Sequence, residues 1–189
     1  MKKVLLFVYD TFAEFEISIL ATCLSSTEFS LITFSQKEKG TPIKSEGKFN
    51  IVADRTLEEV NPIEYEALII PGGTPSYLLN DERLINIVRA FYRENKLIAA
   101  ICGGPVLLGV AGILDEVKYT SSITMSDDEY KDYMNWTNAQ EQVLVKDQNI
   151  ITSTGSNYVA FAEEVLRSLG CISADEKDPL LYFRVPSMG

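Results

Sequence analysis

Short apolar runs alternate along the chain with longer stretches in which apolar residues recur every three or four positions. Val4-Leu5-Leu6-Phe7-Val8, Ser30-Leu31-Ile32-Thr33-Phe34, Ala67-Leu68-Ile69-Ile70 and Leu97-Ile98-Ala99-Ala100-Ile101 have strand length and read as strands buried on both faces. Such strands need cover above and below, and amphipathic helices supply it. Phe15, Ile17, Ile19, Leu20 and Leu24 give one helix an apolar side; Leu84, Ile87, Val88 and Phe91 give a second. A third is predicted from about Ser156 to Leu169 through Val159, Phe161, Ala162, Val165 and Leu166, with Gly170 as its C-terminal stop. Strand–helix alternation implies right-handed crossovers and a mostly parallel sheet between two helical layers.

The middle of the chain departs from this rhythm. Residues Thr41 to Val52, punctuated by Gly40 and Gly47, suggest a small hairpin or an excursion at the sheet edge. Lys118 to Asn138 is poor in aliphatic residues and rich in Ser, Asp and Tyr, which predicts a loop with a short helix near Asp127–Tyr133. Two strands follow around Asp147-Gln148-Asn149. With no repeat, low-complexity tract or linker, residues 1–189 are expected to form a single domain.

Charge and composition narrow the functions open to such a domain. The 17 Lys and Arg against 27 Asp and Glu leave a net charge of −10, which argues against nucleic acid or an anionic membrane as partner. Met1-Lys2-Lys3 leads into an apolar run too short for a signal peptide, and no run reaches the roughly 20 residues of a membrane span, so a cytoplasmic protein is expected. Three cysteines without close spacing suggest neither a disulfide framework nor a zinc site. Histidine is absent, which removes the commonest general base and metal ligand. No phosphate loop or dinucleotide-binding glycine fingerprint occurs, so neither cofactor nor metal is expected.

In open α/β sheets ligands collect at the carboxyl ends of the strands, and three such ends carry unusual residues. In Ala99-Ala100-Ile101-Cys102-Gly103-Gly104-Pro105 a buried strand runs into a cysteine, two glycines and a proline suited to a first helical turn. This is the pattern of a nucleophile elbow, and a sulfur at a positive helix end is expected to have its pKa lowered toward neutrality. Cys23 and Cys171 lack that context and read as structural. In Ile70-Pro71-Gly72-Gly73 a strand ends in unshielded backbone amides, suited to an oxyanion site or to an ordinary tight turn. Glu14 and Glu16 follow the first strand two residues apart at a helix start, so they cannot share a face. One is expected to reach solvent and the other to face Cys102, with a raised pKa and a hydrogen bond donated to sulfur. Trp136 is a candidate pocket residue, though packing explains it equally well.

Together these segments resemble the ThiJ/PfpI family. The Cys102 segment resembles its nucleophile motif, Pro71-Gly72-Gly73 its glycine turn, and Phe12-Ala13-Glu14-Phe15-Glu16 its N-terminal acidic motif. Ile151-Thr152-Ser153-Thr154-Gly155 with Phe161-Ala162 is similar to its C-terminal strand–loop–helix. The matches come in family order over nearly the whole chain. The resemblance implies a flavodoxin-like, three-layer α/β/α sandwich of the class I glutamine-amidotransferase-like type, assembled as a homodimer. It assigns the nucleophile to Cys102, the partner carboxylate to Glu16 and the oxyanion donors to Gly73 and Gly103, with Gly72 in the pocket. Family members include intracellular peptidases, deglycase or glyoxalase-type enzymes, isonitrile hydratases and proteins with an oxidisable cysteine.

One departure weighs on those choices. Many members carry a histidine about twenty residues beyond the cysteine, whereas this chain reads Tyr119-Thr120-Ser121-Ser122-Ile123, with Ser122 at the matching place. General acid–base assistance is worth about 10²–10⁴ in rate, so without imidazole peptide cleavage should be feeble. The expected function is a small-molecule hydrolase, hydratase or lyase using Cys102 and Glu16. The alternatives are a redox-responsive stress protein with an oxidisable Cys102, or a PfpI-type intracellular cysteine peptidase.

Overall fold

The computed structural model describes residues 2–173 and 175–184. Its strands are β1 (Lys2–Phe7), β2 (Phe29–Ser35), β3 (Pro42–Lys44), β4 (Asn50–Val52), β5 (Arg55–Thr56), β6 (Ala67–Ile70), β7 (Leu97–Ile101), β8 (Leu144–Asp147) and β9 (Ile150–Ser153). Its α-helices are α1 (Phe15–Leu24), α2 (Glu82–Arg93), α3 (Pro105–Val110) and α4 (Tyr158–Ser168). Seven strands form one sheet in the order β5-β2-β1-β6-β7-β9-β8, parallel except for β8, while β3 and β4 make a separate antiparallel hairpin.

The chain leaves β1 toward β2 on one side, then returns to place β6 on the other. Right-handed crossovers in opposite directions put their helices on opposite faces of a sheet, which yields the three layers. Accordingly α1 packs on α4 and α2 packs on α3. The mostly parallel sheet with flanking helices is the flavodoxin-like arrangement expected from the sequence. Strand order reverses between β1 and β6, so their carboxyl ends border the crevice where such sheets bind ligands.

The apolar runs behave as their composition dictates. β6 is buried along its whole length, and Ile98 to Ile101 of β7 are fully buried. β2 is the exception: Leu31, Ile32 and Thr33 are only half-buried. Its outer neighbour β5 is two residues long, so β2 lies almost at the sheet edge. The backbone and hydroxyl of Thr33 are met there by Asp54, each at 2.8 Å. α2 turns Leu84, Ile85, Ile87, Val88 and Phe91 to the core and is capped by Asp81, whose carboxylate accepts from the Arg83 N–H at 3.1 Å. Residues 118–138 are irregular as expected, but the helix foreseen at Asp127–Tyr133 shrinks to one 3₁₀ turn, Lys131–Tyr133. Asp127 instead accepts from the backbone (2.6 Å) and hydroxyl (2.8 Å) of Thr124, which holds a turn at that place.

Candidate active site

Pairing between strands sets the geometry before any side chain is considered. Ala100 lies opposite Ile70, and Ile101 opposite Ser153. The residues just beyond those strands, Gly72, Cys102 and Gly155, are therefore brought side by side. α1 returns over the same end, because the Ala13 N–H donates to the Gly72 carbonyl at 2.9 Å.

Cys102 has φ 61°, a left-handed conformation that costs a non-glycine residue about 1–3 kcal/mol. Several bonds hold it there. Its N–H donates to the Ser153 carbonyl at 2.8 Å, and its own carbonyl accepts from the Ser121 hydroxyl at 2.7 Å and the Ser122 N–H at 3.0 Å. Gly104 completes the reversal: a Cβ there would stand 2.6 Å from the Ile70 carbonyl oxygen. α3 then begins at Pro105. The strand–cysteine–helix turn foreseen in the sequence is present, and the sulfur is partly exposed.

Glu16 projects from the first turn of α1 and is 1% exposed. Its Oε2 accepts from the Gly72 N–H at 2.7 Å, and the carboxyl lies beside the Cys102 sulfur, both closing on Gly72 and Gly155. Glu14 goes elsewhere. Its Oε2 accepts from the Gly47 N–H of the β3–β4 hairpin at 3.2 Å, which resolves the choice between the two acids. Against the cost of partial burial, that bond, one from its own backbone and one from Ser45 hold Glu14 below the usual carboxylate range.

Burial acts oppositely at Glu16, pushing its pKa above the ordinary 4.5 despite the hydrogen bonds from Gly72 and Cys102. The thiol is also raised, to about 11, first by burial and then by the charge of Glu16, while hydrogen bonds from Ser122 and the Gly103 N–H oppose the rise. The expected drop toward neutrality is therefore absent while Glu16 is ionised. A short helix end does not outweigh desolvation plus an adjacent anion. Two acids side by side cannot both ionise cheaply, so each makes the other hold its proton more tightly.

The remaining candidates divide. Gly72 closes on the pair: a Cβ there would lie 2.5 Å from Cys102 Cβ and 2.7 Å from Glu16 Oε2. Gly155, which composition did not single out as a site residue, does the same from β9; its Cβ would lie 2.9 Å from both Cys102 Sγ and Glu16 Oε1. Ser122 stands at the elbow: its N–H donates to the Cys102 carbonyl and its hydroxyl accepts from the Gly155 N–H, both at 3.0 Å. Neither the Gly103 nor the Gly73 N–H is met by an oxygen among the described residues. Trp136 lies apart. It lines a cavity with Gly109, Val110 and Asp115, and its Nε1 donates to the Lys131 carbonyl at 3.0 Å, so it does not border Cys102. Cys23 and Cys171 are free and line another small cavity with Leu166 and Leu180. Among the described residues no group of three or more Cys, Asp or Glu side chains is placed to hold a metal ion, and no helix is long and apolar enough to cross a membrane.

A parallel sheet of this order, with a cysteine elbow at its carboxyl edge and a buried glutamate against the sulfur, defines a class of protein that comparison with known chains identifies. The model of the DJ-1/PfpI family matches residues 2–168, and the chain belongs to that family. It is 32% identical over 177 residues to protein/nucleic acid deglycase 2 of Escherichia coli, covering 89% of this chain and 98% of the relative. It is 34% identical over 143 residues to general stress protein 18 of Bacillus subtilis, covering 73% and 81%. Among solved structures, the DJ-1 superfamily protein Atu0886 from Agrobacterium tumefaciens superposes with a TM-score of 0.83 at 28% identity, covering 97% of each chain.

Proposed function

We propose that this chain is a cysteine-centred enzyme acting on small, uncharged electrophiles by hydrolysis, hydration or lyase chemistry. The observation that carries the reading is the buried Glu16 carboxyl set beside the sulfur of a half-buried Cys102. With its pKa at about 11, only about one thiol in ten thousand is ionised at pH 7, too few for efficient unaided attack. A base already touching the thiol removes that handicap, because the proton moves to Glu16 as sulfur bonds to carbon. The electron pair of the attacked double bond goes to oxygen, where the Gly73 and Gly103 amides receive it. Glu16 then returns its proton to the departing group, and water completes the cycle in a hydrolysis.

The surroundings favour neutral substrates. The groups acting on the pair are Glu46, Tyr9, Ser122 and backbone amides, none of them cationic. A deglycase name among the relatives fits chemistry on a small carbonyl adduct. Peptide cleavage fits less well, since it needs a proton delivered to a poor amine leaving group without imidazole. Turnover of a panel of small aldehydes and thioesters tests the proposal. Cys102→Ser should abolish it, and Glu16→Gln should lower kcat by about 10²–10⁴; full turnover by Cys102→Ser would refute it.

A second reading draws on the donors around the sulfur. The Gly103 N–H and the Ser122 hydroxyl both stand at the elbow and suit a sulfinate at Cys102. Two equivalents of a hydroperoxide would each transfer one oxygen to sulfur and leave as water or alcohol. A general stress protein among the relatives keeps this reading in view, and the high thiol pKa makes it the weaker one. Intact mass after mild peroxide should then show two oxygens gained at Cys102; oxidation spread evenly over Cys23, Cys102 and Cys171 would exclude it.

A further inference from the structure

We propose that Ser122 is a working member of this reactive centre: its hydroxyl, locked in direction by the Gly155 amide, donates to the Cys102 sulfur and holds the charge that sulfur acquires. The inference rests on the Cys102–Glu16 reading above and adds a third group to it.

Ser122 is tied down at both ends. Its N–H donates to the Cys102 carbonyl at 3.0 Å, so its backbone is fixed to the elbow it serves. Its Oγ accepts from the Gly155 N–H at 3.0 Å. That bond occupies the oxygen's acceptor side and leaves the hydroxyl proton free to turn to the sulfur, against which Gly155 itself is packed. The neighbouring Ser121 shows the purely structural alternative, since its hydroxyl donates to the Cys102 carbonyl at 2.7 Å. Gly155 is a positioning residue in this arrangement. Only a residue without Cβ brings its amide so near, because a Cβ would sit 2.9 Å from both Sγ and Glu16 Oε1.

A serine hydroxyl does not accept a proton near neutrality, so it acts here as a donor only. Glu16 is left as the proton acceptor at the sulfur among the described residues. The titratable groups that face the sulfur are Glu16 from α1 and Tyr9 after β1, with Glu46 of the hairpin acting on Glu16. Tyr9 donates to the Gly72 carbonyl at 2.7 Å and is pushed well above its ordinary value by burial, so it stays neutral.

The test is the pH dependence of iodoacetamide alkylation at Cys102, read by peptide mass spectrometry, in the wild type, Ser122→Ala and the matched pair Ser122→Thr and Ser122→Val. Ser122 is exposed, so these changes leave the core intact. A hydrogen bond to a charged group is worth enough to move a titration by about one pH unit. Ser122→Ala and Ser122→Val should raise the midpoint by about that much, and Ser122→Thr, which keeps the hydroxyl, should restore it. An unmoved midpoint in Ser122→Ala and Ser122→Val, or a threonine variant that behaves like valine, would overturn the inference. Glu16→Gln in the same assay separates the two proposals. If it shifts the midpoint while the serine variants do not, Ser122 is idle and the pair stands. If it leaves the midpoint unmoved, the pair fails and Ser122 is judged by its own shift.

Discussion

At the scale of single residues, Glu16 sets the behaviour of the site through where its charge is allowed to be. Burial raises its pKa in the folded protein above the ordinary 4.5. An acid raised in this way binds its proton more tightly folded than unfolded. The stability it contributes is complete below the unfolded value and is lost as pH rises through the folded one. Glu16→Gln escapes that loss while keeping an oxygen for the Gly72 amide. The variant should melt at a higher temperature than the wild type at pH 7.5, with the difference vanishing below about pH 4; equal melting curves at both pH values would contradict it. Gly155→Ala tests the packing of the pair. Its new methyl would stand 2.9 Å from both Sγ and Oε1 and must push them apart. Misplacing reacting atoms by about 1 Å costs roughly 10²-fold in rate, so turnover should fall by about that factor.

At the scale of elements, the residues that hold the strands in place are distinct from those that do chemistry. Phe91 on α2 is fully buried, its ring tilted against that of Tyr65 with centroids 6.5 Å apart, on the helix layer that packs against α3. Phe91→Ala should cost about 3–5 kcal/mol in urea unfolding and leave the alkylation midpoint of Cys102 unchanged in the folded protein. The strands and helices were legible because continuous apolar runs and recurrences at three and four residues report burial directly. β2 was over-read: its sequence resembles a core strand, but the two-residue β5 leaves it near the edge, a fact of sheet order that no local run encodes. The helix expected near Asp127 was displaced by side-chain bonds from Asp127 to Thr124, which compete with helical ones.

At the scale of the whole molecule, strand order turns scattered motifs into one place. Cys102, the Gly72 turn and Glu16 were readable in the sequence because each follows a buried strand and carries unusual residues. The choice of Glu16 over Glu14 needed the hairpin, whose Gly47 amide takes Glu14 away. Gly155 was missed as a site residue because its importance is a contact distance across β7 and β9. Trp136 does line a cavity, but one apart from Cys102, a placement that depends on how the polar loop folds rather than on any local run. The homodimer implied by the resemblance remains a proposal. Exposed Phe15, edge-on to Tyr158, and exposed Phe49 offer apolar surface for it. Sedimentation equilibrium should give twice the chain mass, and a monomer mass at micromolar concentration would reject the dimer.

The coupling of Cys102 to Glu16 is tested most directly by measuring the Cys102 alkylation midpoint against pH in the wild type and in Glu16→Gln. Removing the carboxylate charge should lower the midpoint from its wild-type position near 11. Identical midpoints at the ordinary thiol value of 9.0 in both proteins would show that the glutamate does not govern the sulfur.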